Sequence, residues 1–188
     1  MRPAVFLDRD DTLNDALGLP PPPPPGNPGD VIDPALVRLL PGVQEGCRLL
    51  RRAGFTLVVV SNQGSVARGA ATLHVVRSVN ARVRDLLPDP DRPGRSLIDA
   101  AYFCPFHPRG NLPEFTREHP WRKPAPGMIL AAAADLDLDL SRSWLIGDAQ
   151  RDIQAGIAAG LNPEHCLLVG PRGMDFVAAA RAAATSRP

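Results

Sequence analysis

Two carboxylates two residues apart, Asp8 and Asp10, follow the apolar stretch Ala4-Val5-Phe6-Leu7. Acids at i and i+2 that leave the end of a buried strand can both project into the crevice beyond it. One carboxylate can then act as a nucleophile toward phosphorus, forming an aspartyl-phosphate that water later hydrolyses. The second can serve the leaving oxygen as general acid and the incoming water as general base. Both can share Mg2+, a hard cation that takes carboxylate and phosphate oxygens together. An isolated acid-x-acid triplet also occurs on solvated turns, so its partners decide the matter.

Three partners follow: two at the ends of later apolar runs and one just ahead of a helix. Ser61-Asn62 closes the run from Thr56 to Val60 and offers a hydroxyl, an amide and turn N–H groups to a phosphate oxygen. Lys123, in Arg122-Lys123-Pro124, is the single lysine of a chain with twenty arginines. A compact ammonium kept against that bias suits neutralisation of a transferring phosphoryl group. Gly147-Asp148 ends another run, and Asp152 follows at i+4, where it can complete a metal site or orient its ligands. Each is ordinary alone; the four in this order point to phosphoryl chemistry.

The elements that must carry these groups alternate. Strands are predicted over 4–7, 56–60, 101–103, 144–146 and 166–169, with a polar turn over 61–64. Helices are predicted over 42–53, 73–87, 126–136, 150–159 and 175–184. Gly54 and Gly160 stop two of them. Continuous apolar strands alternating with helices specify an α/β fold, a single Rossmann-like domain with a parallel sheet covered on both faces. Segments 18–33, 88–96 and 105–120 read as loops, and none is long enough for a separate cap domain. The six prolines from Pro20 to Pro25 predict a stiff polyproline II rod within the first of these loops.

Composition narrows the function. The chain has 188 residues, 44% of them apolar, and a formal net charge of +1. That charge is not the footprint of a general nucleic-acid or membrane-surface binder, and no apolar run is long enough to span a bilayer. The acids at 8, 10 and 11 precede any signal-peptide core, so a cytoplasmic location is expected. Cys47, Cys104 and Cys166 are too few and too scattered for a disulfide framework. Asp135, Asp137 and Asp139 alternate with leucines but lack the Gly and Glu of a calcium loop. No heptad or isolated apolar stripe stands out, so a monomer is expected.

Four stretches together resemble the haloacid dehalogenase superfamily of Mg2+-dependent phosphohydrolases: Phe6 to Asn14, Ser61 to Gly69, Arg122 to Met128, and Ile146 to Asp148. Within it the chain is most similar to the heptose-bisphosphate and histidinol-phosphate phosphatase group. The Ala67-Arg68-Gly69 ending favours the heptose-bisphosphate branch. The resemblance implies Asp8 as nucleophile and Asp10 as acid/base. It implies Mg2+ held by Asp8, the Asp10 backbone carbonyl and Asp148, to which the spacing of Asp152 adds a supporting acid. Ser61, Asn62, Arg122 and Lys123 would contact the phosphoryl group, and Arg68 the distal part of a small phosphorylated metabolite.

The chain departs from that pattern at several positions. Position 11, usually Gly, is Asp, one of the few residues that tolerate a left-handed backbone. Relatives place a lysine after Gly-Asp where this chain has Ala149. Their Cys/His zinc loop reads here as Cys104, Phe106, His119 and Trp121, with His107 as a substitute donor. A structural zinc site wants four N or S donors, so the expected reading is no zinc and an aromatic plug. Three rivals remain: histidinol phosphate as substrate; a nucleic-acid 3′-phosphatase, disfavoured because 5% aromatic residues offer few stacking platforms; and a catalytically weak module that docks a partner through its proline rod.

Overall fold

A computed structural model describes residues 1–171 and 173–186. Five strands, β1 (Ala4–Leu7), β2 (Thr56–Asn62), β3 (Ala100–Cys104), β4 (Trp144–Gly147) and β5 (Cys166–Leu168), form one parallel sheet. The strand order is β3-β2-β1-β4-β5. The chain winds outward from β1 to β3, then crosses back to place β4 on the other side of β1. The order therefore reverses between β1 and β4, and open parallel sheets bind ligands outside the carboxyl ends of the strands at such a point. Asp8 and Asp148 each follow one of these two strands directly.

The helices are α1 (Val43–Arg52), α2 (Ser65–Arg68), α3 (Leu73–Asp85), α4 (Gly127–Leu136), α5 (Gln150–Ala158) and α6 (Phe176–Thr185). Alternation along the strands divides the core in two. Val5, Leu7, Leu57, Val59 and Ile146 face α1, α3 and α6, meeting Cys47, Leu50, Val79, Val83 and Ala180. Ala4, Phe6, Val58, Val60 and Leu145 face α4 and α5, meeting Met128, Ile129, Ala132 and Ala155. The helices of the first layer are tightly seated. A Cβ on Gly46 of α1 would lie 2.6 Å from the Phe176 ring of α6, so only glycine permits that approach.

The α/β architecture matches the sequence reading, with three local corrections. β2 continues through Ser61 and Asn62, so the polar turn begins at Gln63. The strand pairs Ser61 with Phe103 and Asn62 with Cys104, and this ladder extends it past its apolar run. The proline rod is shorter than expected: the Gly26 N–H donates to the Pro23 carbonyl at 3.0 Å, and a turn ends the extended run at Pro22. The 105–120 excursion contains a 3-10 turn, Pro113–Phe115. Among the described residues, no helix is long and apolar enough to cross a membrane.

Phe6 is fully buried in the central strand and anchors the α4–α5 side of the core. Phe6→Ala is expected to cost about 3–5 kcal/mol of folding stability, the usual range for emptying an aromatic site. Urea denaturation of the two proteins measures it.

Candidate active site

The site begins where β1 ends. The Asp8 N–H still donates to the Ile146 carbonyl at 3.0 Å, so the nucleophile candidate is anchored to β4. Beyond it the chain turns tightly, with the Asp11 and Leu13 N–H groups donating to the Asn14 and Arg9 carbonyls, each at 2.8 Å. Asp11 has φ 57°, the left-handed backbone expected of this position. Its Oδ1 accepts the Ala16 and Leu17 N–H groups at 3.0 Å, so this extra acid helps to shape the following loop.

Beneath Asp8 lies Lys123, only 3% exposed. Its three ammonium protons meet three acceptors: Asp8 Oδ1 at 2.8 Å, Asp152 Oδ1 at 2.7 Å and the Val60 carbonyl at 2.8 Å. A planar guanidinium cannot fill that compact tripod, which accounts for the one lysine in an arginine-rich chain. Burial opposes the ammonium charge, but Asp8 and Asp152 outweigh it and hold the pKa above its ordinary value. The Lys123 peptide is fixed in turn by Asn62, whose Oδ1 accepts its N–H and whose Nδ2 donates to its carbonyl, both at 3.0 Å. The Asn62 amide is thus spent on the backbone that presents Lys123.

β4 brings the remaining acids. Asp152, in the first turn of α5, accepts the Ala149 N–H at 3.0 Å through Oδ2, so both its oxygens are engaged. Gly147 makes room for this: a Cβ there would sit 2.5 Å from the Asp152 Cβ. Carboxylate oxygens of Asp8, Asp148 and Asp152 lie within 4.8 Å of one another, a hard-donor set that fits a hard divalent cation. Burial pushes the Asp8 pKa up to about 7, with Lys123 pulling it down and Asp152 pushing it further up. Burial, reinforced by Asp152 and opposed by Arg151, also raises that of Asp148.

These groups open into a polar cavity of about 380 Å3. Asp8, Asp10 and Asp148 lie on its wall with Ser61, Asn62, Arg68, Arg122 and Arg151. Larger hollows elsewhere, such as that of about 610 Å3 beside Arg84 and Arg95, contain no comparable cluster, so size alone does not pick the site. Lys123 is not on the cavity wall but behind Asp8. Arg122 is half-buried and donates to the Phe106 carbonyl at 3.2 Å; burial, then the nearby Arg151 and Arg68, lower its pKa. Arg68 is already paired: its Nη2 meets Asp30 Oδ1 and Oδ2 at 2.6 and 2.7 Å. Asp30 belongs to the proline-rich insert, which thereby closes over one side of the cavity.

The three zinc-donor candidates are not assembled with one another; among the described residues, only Asp8, Asp148 and Asp152 form a cluster of metal-ligating geometry. Cys104 is buried and turned to the Phe106 carbonyl. The Nδ1 atoms of His107 and His119 accept the N–H groups of Arg109 and Trp121. The His119 ring stacks on Phe106 with centroids 4.2 Å apart, while Trp121 packs edge-on against Tyr102.

Four residues of the site have no role in the sequence reading: Arg9, Gln63, Asp30 and Arg151. Arg9 carried a signal, a charge placed immediately after a buried strand between two cleft acids. Its alternation predicts that it points away from them, into the protein. Gln63 lay in a turn whose register changed once β2 proved longer. Asp30 had no local signal, because its partner lies 38 residues away.

The comparisons with known proteins agree with this geometry. The HAD-hydrolase-like family model matches residues 120–163, which include Lys123, Asp148 and Asp152. A D-glycero-beta-D-manno-heptose-1,7-bisphosphate 7-phosphatase of Yersinia pestis is 36% identical over 169 residues, covering 89% of this chain and 81% of the relative. This chain belongs to the haloacid dehalogenase (HAD) family of phosphatases. A structure from Mesorhizobium loti assigned to the HAD-like phosphatases superposes with a TM-score of 0.78 at 34% identity, covering 97% of this chain and 86% of that one. The D,D-heptose 1,7-bisphosphate phosphatase of B. bronchiseptica, complexed with magnesium and phosphate, gives 0.71 at 26% identity over 96% and 97% of the two chains. As a HAD phosphatase, the chain is a hydrolase of phosphate esters.

The raised Asp8 pKa makes a linked prediction for this HAD phosphatase. The protonated form is favoured in the folded protein, so its stabilisation is full below the unfolded value of 3.8 and is lost as pH rises through about 7. Divalent metal needs the carboxylate and releases its proton on binding. Metal-free protein should therefore lose thermal stability between about pH 4 and pH 7, and Mg2+ should raise Tm more at pH 8 than at pH 5. Calorimetry in chelator and in excess Mg2+ measures both; an equal Mg2+ shift at the two pH values would contradict the assignment.

Proposed function

We propose that this HAD phosphatase is a Mg2+-dependent phosphomonoesterase acting through an aspartyl-phosphate on Asp8. The proposed substrate is a small sugar bisphosphate, with D-glycero-D-manno-heptose 1,7-bisphosphate favoured. The observation that carries the reading is Asp8 itself, a buried carboxylate on the wall of a polar cavity ringed by Arg68, Arg122 and Arg151. Its Oδ1 is held by Lys123 and by the Arg9 N–H at 2.7 Å, which leaves Oδ2 for attack. Oδ2 forms a bond to phosphorus as the ester P–O bond breaks, and the departing oxygen takes a proton from Asp10. Water then attacks the phosphorus, Asp10 takes its proton, and phosphate leaves with Asp8 regenerated.

Asp8 and Asp148, with the Asp10 backbone carbonyl, would hold Mg2+, which when bound offsets the negative charge of the phosphoryl group. Asp152 supports this arrangement indirectly, because both its oxygens serve Lys123 and the α5 N-terminus. Lys123 acts by orienting Asp8 and by adding positive charge behind the phosphoryl group. Ser61 and Arg122 face the phosphoryl group, and Asn62 acts through the Lys123 peptide. Arg68 and Arg151, both on the cavity wall, would receive a second anionic group. Zinc has no part in this reading. A small metabolite is the only partner it needs, without nucleic acid or membrane, and it is framed for a cytoplasmic monomer.

Phosphate release from sugar bisphosphates, histidinol phosphate and a 3′-phosphorylated oligonucleotide, with Mg2+ or chelator, tests the proposal. One equivalent of phosphate from the heptose bisphosphate, lost in chelator and in Asp8→Asn, is the expected result. A preference for histidinol phosphate would move the chain to the other branch. No Mg2+-dependent turnover on any member would favour the partner-docking module. Lys123→Arg keeps the charge but not the tripod, and kcat should fall about 100-fold or more. Unchanged steady-state kinetics would reject the tripod's role.

A further inference from the structure

Asp10 is held more completely than its proposed work as an acid–base group requires. Its Oδ1 accepts Arg9 Nε at 3.0 Å and Asn14 Nδ2 at 3.2 Å. Its Oδ2 accepts Arg9 Nη2 at 2.9 Å and Gln63 Nε2 at 2.8 Å. A carboxylate has about four lone-pair sites, so these four donors fill it. The donors are not equivalent. Arg9 is fully buried and absent from the cavity wall, and its two-pronged fork fixes the plane of the carboxylate. Its remaining Nη1 donates to Asn80 Oδ1 of α3 at 2.9 Å, so the fork is braced against the core.

Gln63 is the other donor to Oδ2. It lines the cavity, and the same Nε2 that donates to Asp10 also donates to Ser61 Oγ at 2.8 Å. One amide thus bridges the acid–base candidate and the hydroxyl placed for the phosphoryl group. For Asp10 to hold or pass a proton, one of its four donors must withdraw. Arg9 is braced from behind by Asn80, whereas Gln63 has a second acceptor already in place.

We propose that Arg9 and Gln63 are positioning residues for the acid–base step: Arg9 clamps the Asp10 carboxylate from inside the protein, and Gln63 ties it to Ser61 from the cavity side. The inference rests on Asp10 being the acid–base group. When the ester P–O bond breaks, the leaving oxygen keeps the electron pair and takes the proton from Asp10. Gln63 then shifts between Ser61 Oγ and Asp10 Oδ2 as that carboxylate regains its acceptor site.

Leaving-group dependence tests this, because p-nitrophenolate departs without a proton whereas a sugar alkoxide needs one. The wild type, Gln63→Met, Arg9→Lys and Asp10→Asn are compared with Mg2+ on p-nitrophenyl phosphate and on the sugar phosphate that the wild type turns over fastest. Gln63→Met and Arg9→Lys should each lose about tenfold or more in kcat/KM on the sugar phosphate but less than about threefold in kcat/KM on p-nitrophenyl phosphate, because kcat/KM reads transfer to Asp8 and not the aspartyl-phosphate hydrolysis that both substrates share. Adding Gln63→Met to Asp10→Asn should cost less than about twofold more, because both act through one group. Equal losses on the two substrates, no loss on either, or full additivity would overturn the proposal. Gln63→Met carries the test alone if Arg9→Lys fails to fold. A wild type inactive on every phosphate ester would sink the parent reading, and this inference with it.

Discussion

The buried ammonium of Lys123 organises the site and much of its surroundings. An isolated charge in a protein interior is costly, and this one is tolerable because three oxygens from three parts of the chain surround it. Val60 comes from β2, Asp8 from the end of β1, and Asp152 from the first turn of α5. The arrangement therefore requires strand register, helix placement and the Gly147 close approach to be correct together. Removing any one acceptor would leave a buried cation partly unmatched. The same tripod keeps one Asp8 oxygen occupied and fixes the orientation of the carboxylate.

Around this centre the charges are sorted by depth. The acids and the lysine lie at the bottom, at the switch in strand order, where the sheet leaves a crevice. Arginines lie on the wall above them, where a phosphorylated ligand would bring negative charge. Arg68 stands apart because the insert already supplies it with Asp30. A ligand anion reaching Arg68 must compete with that carboxylate, which makes the proline-rich segment part of the site and not merely an ornament beside it. Phe106, His119 and Trp121 pack the neighbouring excursion through ring contacts.

Much of this was legible without coordinates. The continuous apolar runs and intervening helical spacings specify a parallel sheet, because burial on both faces leaves no polar alternation in the strands. The acid pair, Ser-Asn and Gly-Asp pointed to one end of the sheet, because they stand at the carboxyl ends of parallel strands, while Lys123 is brought there by the segment ahead of α4. Even the rarity of lysine carried meaning, although it pointed to the phosphoryl group and the tripod behind Asp8 is what holds it. Less legible were β2, extended by backbone pairing instead of hydrophobicity, and the proline run, ended by a local turn at Pro23.

The amino-acid sequence by itself determined the chemistry available and the end of the sheet where it gathers. It did so because side-chain periodicity and local order act over a few residues and survive being read in one dimension. Only the tertiary structure decided which group serves which. It set the Asn62 amide on the Lys123 peptide, gave Arg68 to Asp30, and placed Arg9 behind Asp10 against Asn80. Those assignments join residues from 38 to 71 positions apart. A hydrogen bond or ion pair across such a separation depends on the packing of two elements, and no local pattern records it.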